Sequence, residues 1–390
     1  MSARFRPLAP RMAAIAPFHV MALLARAKEL EAAGRSIIHM EIGEPDFPTA
    51  APIVRAGQRA LSEGRTRYTA AAGLPELRQA IGGHYRDRYG VEVPTRRILI
   101  TPGASGALQL ATALLVGPGD RVLLADPGYP CNRHFVRLAE GEAVGIPVGP
   151  ATAYQLTAEL VERYWDERTA AVLLASPANP TGTVIPPQAL AAIISTVEAR
   201  GGRVIMDEIY HGLVYDTSLQ TALAYSDQVI ALNSFSKYYG MTGWRLGWLV
   251  APDDCVGAAE KLAQNLFLAA STPAQYAALA AFLPETRAVF EQRRREFQAR
   301  RDFLLPALRK LGFDILSIPD GAFYLYADCS RFTDDSYQFA LQLLEQSGVA
   351  ITPGIDFGNH SPERHVRFAY TTAIPQLADG VERLKRALAA

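Results

Sequence analysis

Lysine is nearly missing from this chain of 390 residues. Only Lys28, Lys237, Lys261, Lys310 and Lys385 occur, and the other thirty-four basic residues are arginine. Net charge is missing as well, because 39 acidic side chains balance 39 basic ones. That balance removes the electrostatic basis for a nucleic-acid or other polyanion partner. Cysteine is sparse: Cys131, Cys255 and Cys329 stand far apart with no C-x-x-C pair. Such a set excludes a disulfide framework and a cysteine zinc site, and no other metal motif is present. The three read as small buried hydrophobes in a reducing compartment. No apolar run reaches the roughly 20 residues that a membrane span requires. Internal repeats, low-complexity tracts and linkers are lacking too.

What is present describes an ordinary globular chain, with 49% apolar and 20% charged residues. Its length exceeds the size at which one core stops growing, so two domains are expected. Arg4, Arg6 and Arg11 precede "MAAIAPFHVMALLA", which has a passing likeness to a secretory leader. Pro17 and His19 interrupt that run, and Val20, Leu23, Leu24, Ala27 and Leu30 then recur at helical spacing. We therefore read residues 1–19 as an N-terminal arm followed by an amphipathic helix, in a cytoplasmic protein.

Over residues 49–285, short apolar runs alternate with helical patterns. "RRILIT", "DRVLLAD", "AAVLLAS", "GRVIMD" and "QVIALNS" each read as a buried strand. This pattern predicts an α/β domain: a mostly parallel sheet with helices on both faces. The texture then changes. "ETRAVFEQRRREFQARRDFLLPALRKLG" reads as one long amphipathic helix with Pro306 as a candidate break. "GAFYLYAD" alternates like a half-exposed strand, and "QLADGVERLKRALAA" reads as a final helix. Residues 286–390, joined by 20–48, are expected to form a smaller α+β domain.

In an open parallel sheet, ligands bind beyond the carboxyl ends of the strands. Asn179, Asp207 and Lys237 all follow strands at such ends, 28 and 30 residues apart. Two strand–helix–strand steps bring them to one crevice. "GASG" (103–106) opens a helix with free backbone N–H groups and the Ser105 hydroxyl, which suits a phosphate. In "SFSKYYGMTGWR", Ser234, Ser236 and Arg245 surround Lys237 with hydroxyl donors and a fixed cation. A second cation lowers a lysine's pKa and keeps its amine nucleophilic. Arginine cannot serve there, since its guanidinium does not deprotonate. A lysine kept among so many arginines is one whose free amine is needed.

"SFSKYYGMTGWRLGW", "SPANPTG", "DEIY" and "HVRFAY" resemble, in order, the signature segments of class I/II aminotransferases, the fold-type I enzymes that use pyridoxal 5′-phosphate. The likeness runs from "EIGEPDF" to "HVRFAY", most of the chain. It implies an enzyme that moves the amino group of an α-amino acid to a 2-oxo acid in two half-reactions. Lys237 would form a Schiff base with the cofactor and then move the substrate proton. Asp207 would keep the cofactor's ring nitrogen protonated. Asn179 and Tyr210 would bond its phenolic oxygen, and Tyr129 would stack on its ring. Ala104, Ser105, Ser234, Ser236 and Arg245 would hold the phosphate. Tyr68 would reach the phosphate of a neighbouring subunit, which implies a homodimer with shared sites. Arg367, helped by Asn179 and the Gly43 backbone, would grip the substrate α-carboxylate.

Simpler roles compete with these. The tyrosines could be core aromatics, and Asp207 and Asn179 could cap helices. Their joint match with Lys237 disfavours capping alone. His211 reads as solvated, and His39 and His134 as structural. No second arginine is identifiable for a distal carboxylate, and Ile15, Phe18, Phe323 and Tyr324 suggest a partly apolar substrate side. The donor and acceptor remain open. So do two other functions: a β-lyase with the same site, or a non-catalytic ligand sensor, which the lack of a DNA-binding segment disfavours.

Overall fold

Strand segments such as "VLLAD" are apolar at successive positions, so both of their faces must be covered. The computed structural model, which describes residues 8–389, meets that demand with a seven-stranded sheet. Its strands lie in the order Ile98–Thr101, Gly247–Val250, Ile230–Ser234, Arg203–Asp207, Thr169–Ala175, Arg121–Asp126 and Glu142–Pro147. Gly247–Val250 pairs antiparallel with both of its neighbours, while the pairings from Ile230–Ser234 to Glu142–Pro147 are parallel. One strand of seven therefore runs against the rest.

Alternation along each strand splits the core in two. Leu123, Val172, Val204 and Met206 join one apolar cluster, whereas Val122, Leu124, Leu173 and Ile205 join another. The helix Pro187–Ala199 packs Ile193 and Val197 into the first cluster, and Gly103–Leu115 packs Leu108 and Ala111 into the second. Helices on both faces are thus a consequence of the strand pattern.

Two of these strands escaped the sequence reading. Glu142–Pro147 is an edge strand with only Ile146 buried, and Gly145 and Pro147 interrupt its short apolar run. Gly247–Val250 is only four residues long and follows directly on the "MTGWR" segment.

A second sheet holds Thr352–Pro353, His365–Ala369 and Tyr324–Asp328, all antiparallel, and Ile38–His39 pairs parallel with Val349–Ala350. Around them pack the helices His19–Ala32, Pro284–Leu311 and Ile374–Leu388. Pro284–Leu311 runs unbroken through Pro306 and stops at Gly312, whose φ of 104° suits glycine. Burial of Leu304, Leu305 and Leu308 holds the last turns despite the missing N–H. Tyr324–Asp328 is buried along nearly its whole length, not half exposed, because Pro284–Leu311 packs against this strand.

The first seven residues of the expected arm, with Arg4 and Arg6, lie outside the described residues. The helix that follows starts at His19 and is tied by its backbone. The His19 and Val20 N–H groups both donate to the buried Asp356 carboxylate at 2.8 Å, and the His19 ring meets it at 2.8 Å. One residue on, the Phe357 carbonyl accepts the Gly128 N–H at 2.8 Å, in the turn before Tyr129. Among the described residues no helix is long and apolar enough to cross a membrane.

Candidate active site

The strands Thr169–Ala175, Arg203–Asp207 and Ile230–Ser234 are neighbours, and their carboxyl ends open into one cavity of about 220 Å³. Gly43, Ala104, Ser105, Tyr129, Asn179, Asp207, Tyr210, Ser234, Ser236, Lys237, Arg245 and Arg367 all line it. Of the cofactor- and substrate-binding residues that the resemblance implies, Tyr68 alone lies elsewhere. It is 82% exposed, beside a separate groove with Arg65, Thr272 and Tyr276.

At one end of the cavity the 13-residue helix Gly103–Leu115 begins. Gly103 has φ +70°, and a Cβ there would stand 2.8 Å from Arg245 Nη2. Glycine thus lets the guanidinium close on the helix N-terminus, where backbone N–H groups already favour an anion. Arg245 is itself held at φ +52°, an uncommon backbone state for a residue with a Cβ. Its Nη1 donates to the Thr242 carbonyl at 3.0 Å and lies 3.4 Å from Ser236 Oγ. Ser234 Oγ and Ser236 Oγ are 2.9 Å apart.

Lys237 and Asp207 are the central ionisable pair. Lys237 Nζ donates to the Gly43 carbonyl at 2.6 Å. Its pKa falls from 10.5 to about 8, chiefly through burial; Glu44 opposes this, and Arg367 and Arg245 add to it. The neighbouring cation invoked from sequence is thus a minor contributor. Burial also dominates at Asp207, raising its carboxyl from 3.8 to about 6 against the Ile209 N–H bond and Lys237. That bond, 3.0 Å to Oδ1, is weak compensation for a carboxylate only 6% exposed.

At the other end lies Arg367, 3% exposed on the strand His365–Ala369. Nη1 donates to Asn179 Oδ1 at 2.8 Å, and Nη2 to the Glu41 carbonyl at 2.5 Å and Thr352 Oγ1 at 3.1 Å. Its buried Nε–H has no partner among the described residues. The rings of Tyr324 and Phe357 lie over the guanidinium at 4.2 and 4.9 Å. A buried guanidinium in this setting is chemically suited to bind a carboxylate.

Phe18, Val20, Met21, Ile42 and Tyr324 complete the wall. Of the four apolar candidates from sequence, Phe18 and Tyr324 line the cavity. Ile15 and Phe323 are not in its lining, although the Phe323 ring comes within 5.8 Å of Lys237 Nζ. Glu41 and Thr352 were missed, and only the place of Glu41 inside "EIGEPDF" could have marked it. His211 is not solvated. It is buried, accepts or donates at 3.1 Å with Tyr89, and has its pKa pushed down to about 3 by burial. Cys131 and Cys255 are half-buried, and only Cys329 is fully buried; all three are free thiols.

The family model "Aminotransferase class I and II" matches residues 35–384. The chain belongs to this family. Across 374 residues it is 41% identical to a valine–pyruvate aminotransferase of Mycobacterium tuberculosis, covering 95% of this chain and 96% of that protein. An aspartate/prephenate aminotransferase of Thermus thermophilus is 33% identical over 386 residues, covering 98% and 99%. A crystal structure of an aminotransferase from Mycobacterium tuberculosis superposes with a TM-score of 0.95 at 40% identity, covering 99% of this chain and all of that one. The protein is an aminotransferase of fold type I, a transferase of amino groups between amino acids and oxo acids. Its fold is that of the family, while the substrates named for its relatives differ among themselves.

Proposed function

We propose that the cavity takes pyridoxal 5′-phosphate, bonded to Lys237, and serves an amino acid and a 2-oxo acid in turn. The observation that carries this is Asp207: a buried, under-bonded carboxylate facing the same cavity as a lysine of depressed pKa. A cationic ring nitrogen is the partner that such a carboxylate lacks. The donor set at the opposite end, helix N–H groups with Ser105, Ser234, Ser236 and Arg245, fits a phosphate dianion. Tyr129 supplies an aromatic face, and Asn179 and Tyr210 supply polar atoms between the two ends.

When bound, the cofactor supplies an aldehyde for the substrate amine and a ring that accepts electrons from a bond broken at Cα. Arg367 would bind the substrate carboxylate through its fixed guanidinium, fixing which Cα bond faces Lys237. Lys237 Nζ, with a pKa near the working pH, would take the proton from substrate Cα and return it. Asp207 would hold a proton on the ring nitrogen. Apolar side chains at the wall would exclude water from that transfer.

The active form we propose is a cytoplasmic homodimer in which exposed Tyr68 serves the partner's site. Free cysteines and balanced charge support the compartment. The division into residues 49–285 and a smaller unit of 20–48 with 286–390 is likewise proposed, supported by the seven-stranded sheet standing apart from the two small sheets. Borohydride reduction of protein loaded with the cofactor, followed by peptide mapping, tests the central claim. The label is expected on Lys237; finding it on Lys28, Lys261, Lys310 or Lys385 overturns the assignment.

A further inference from the structure

The strand register sets one more residue among these groups. Arg367 lies opposite Tyr326, and Tyr324 lies opposite Ala369. Side chains two apart share a face, so Tyr324 is the diagonal neighbour of Arg367. Its ring lies over the guanidinium at 4.2 Å. Its hydroxyl lies 2.9 Å from that of Tyr210. A Cβ on Gly43 would stand 1.8 Å from the same hydroxyl oxygen, so glycine at that position is what lets Tyr324 in. Gly43 is also the residue whose carbonyl accepts Lys237. A single side chain, 1% exposed, thus touches the carboxylate seat, the tyrosine beside the proposed cofactor and the segment that holds the lysine.

We infer that Tyr324 is a positioning residue for the transfer reaction: its ring holds Arg367 flat, and its hydroxyl donates to Tyr210, turning the Tyr210 O–H into the cavity. This rests on the function proposed above. Two phenols 2.9 Å apart share one hydrogen between them, so the direction of that bond decides which oxygen has a hydrogen to give elsewhere. Burial raises the pKa of both phenols, which keeps both hydrogens in place. Phe357 also lies 4.9 Å from the guanidinium, so removing the Tyr324 ring leaves one aromatic contact in place.

The two roles separate experimentally. Tyr324→Phe keeps the ring, so KM for a neutral amino acid should stay within about twofold, given that cation–π attraction survives. It loses the hydroxyl, so the pH midpoint of the bound cofactor's absorbance should move. That move should vanish in a Tyr210→Phe background, which a merely structural effect would not do. Tyr324→Leu should raise KM about 5- to 30-fold, the range expected for a desolvated cation–π contact. Thermal melting of each variant checks folding, and Tyr324→Phe, nearly isosteric, keeps the test open if Tyr324→Leu fails to fold. An unmoved midpoint in Tyr324→Phe overturns the hydroxyl role, as does an equal move with Tyr210 absent. An unchanged KM in folded Tyr324→Leu overturns the ring role. Failure of the wild type to develop any absorbance with the cofactor would instead overturn the proposed function itself.

Discussion

Lys237 Nζ rests on the carbonyl oxygen of Gly43 at 2.6 Å, across 194 residues of sequence. The amine is therefore anchored on the same segment whose next carbonyl but one, that of Glu41, holds Arg367. The proposed nucleophile and the proposed carboxylate seat thus share a support.

Replacing Lys237 with alanine should abolish cofactor absorbance in the visible range and lower turnover by orders of magnitude. The fold should survive, because a buried amine costs more in desolvation than its one hydrogen bond returns. Lys237→Arg should be equally inactive, since a guanidinium stays charged. Circular dichroism with single-turnover assays reads both; near-normal turnover in either variant would remove Lys237 from the chemistry.

Asp207 offers a conflict between stability and activity. Its carboxyl binds a proton more tightly folded, near 6, than at its ordinary 3.8, so ionisation opposes folding. The penalty is absent below about pH 4, grows as pH rises through the folded value, and persists at neutrality, on the order of 2 to 3 kcal/mol. Asp207→Asn should thus raise the melting temperature of cofactor-free protein at pH 7 while removing most activity. A variant that is both less stable and fully active would mark Asp207 as a helix cap.

His39 shifts stability in the same direction but in a higher pH window. The hydrogen bond that its ring donates to the Glu41 carboxylate raises its pKa from 6.5 to about 9, against burial. A raised histidine stabilises fully below its unfolded value, and that stability is lost as pH climbs through about 9. Melting temperatures from pH 7 to 10 should fall for wild type through this window. His39→Gln should start lower and lose less there; parallel curves would refute the pairing.

Arg367→Ala should raise KM for every amino acid accepted, since all share the α-carboxylate. Removing one side of a desolvated charge pair costs about 2–5 kcal/mol, or roughly 30- to several-thousand-fold in kcat/KM. Aspartate, glutamate, alanine and an aromatic amino acid should lose activity alike. Loss confined to the two acids would make Arg367 a distal-carboxylate site instead.

Tyr68 should matter only in the dimer. At 82% exposure it makes no contribution to its own chain's cavity. Sedimentation at working concentration should show a dimer, and Tyr68→Ala should weaken cofactor retention. A fully active monomer would refute the shared site.

Much of the site was legible because parallel strands are apolar runs whose polar successors stand out. Asn179, Asp207 and Lys237 were marked in that way, and adjacency of their three strands brought them together. What stayed hidden depends on contacts distant in sequence. Tyr324 could be assigned to the substrate side, but its wedge against Gly43 and Tyr210 spans 281 and 114 residues. His211 was misjudged because a lone polar residue after a motif looks exposed until Tyr89, at the end of the helix Pro75–Tyr89, supplies its partner. The low pKa of Lys237 was anticipated, but its main cause, burial, has no sequence signature.

The clasp at Asp356 has a bearing on how this enzyme could be re-tuned. Asp356 holds the helix His19–Ala32 mainly by main-chain N–H groups, which every residue but proline provides. Phe18 and Met21, on the same stretch, face the cavity without taking part in that attachment. It follows that these two positions form an interchangeable surface on a fixed mount: substituting them should redirect side-chain preference while the proton-transfer groups stay where they are.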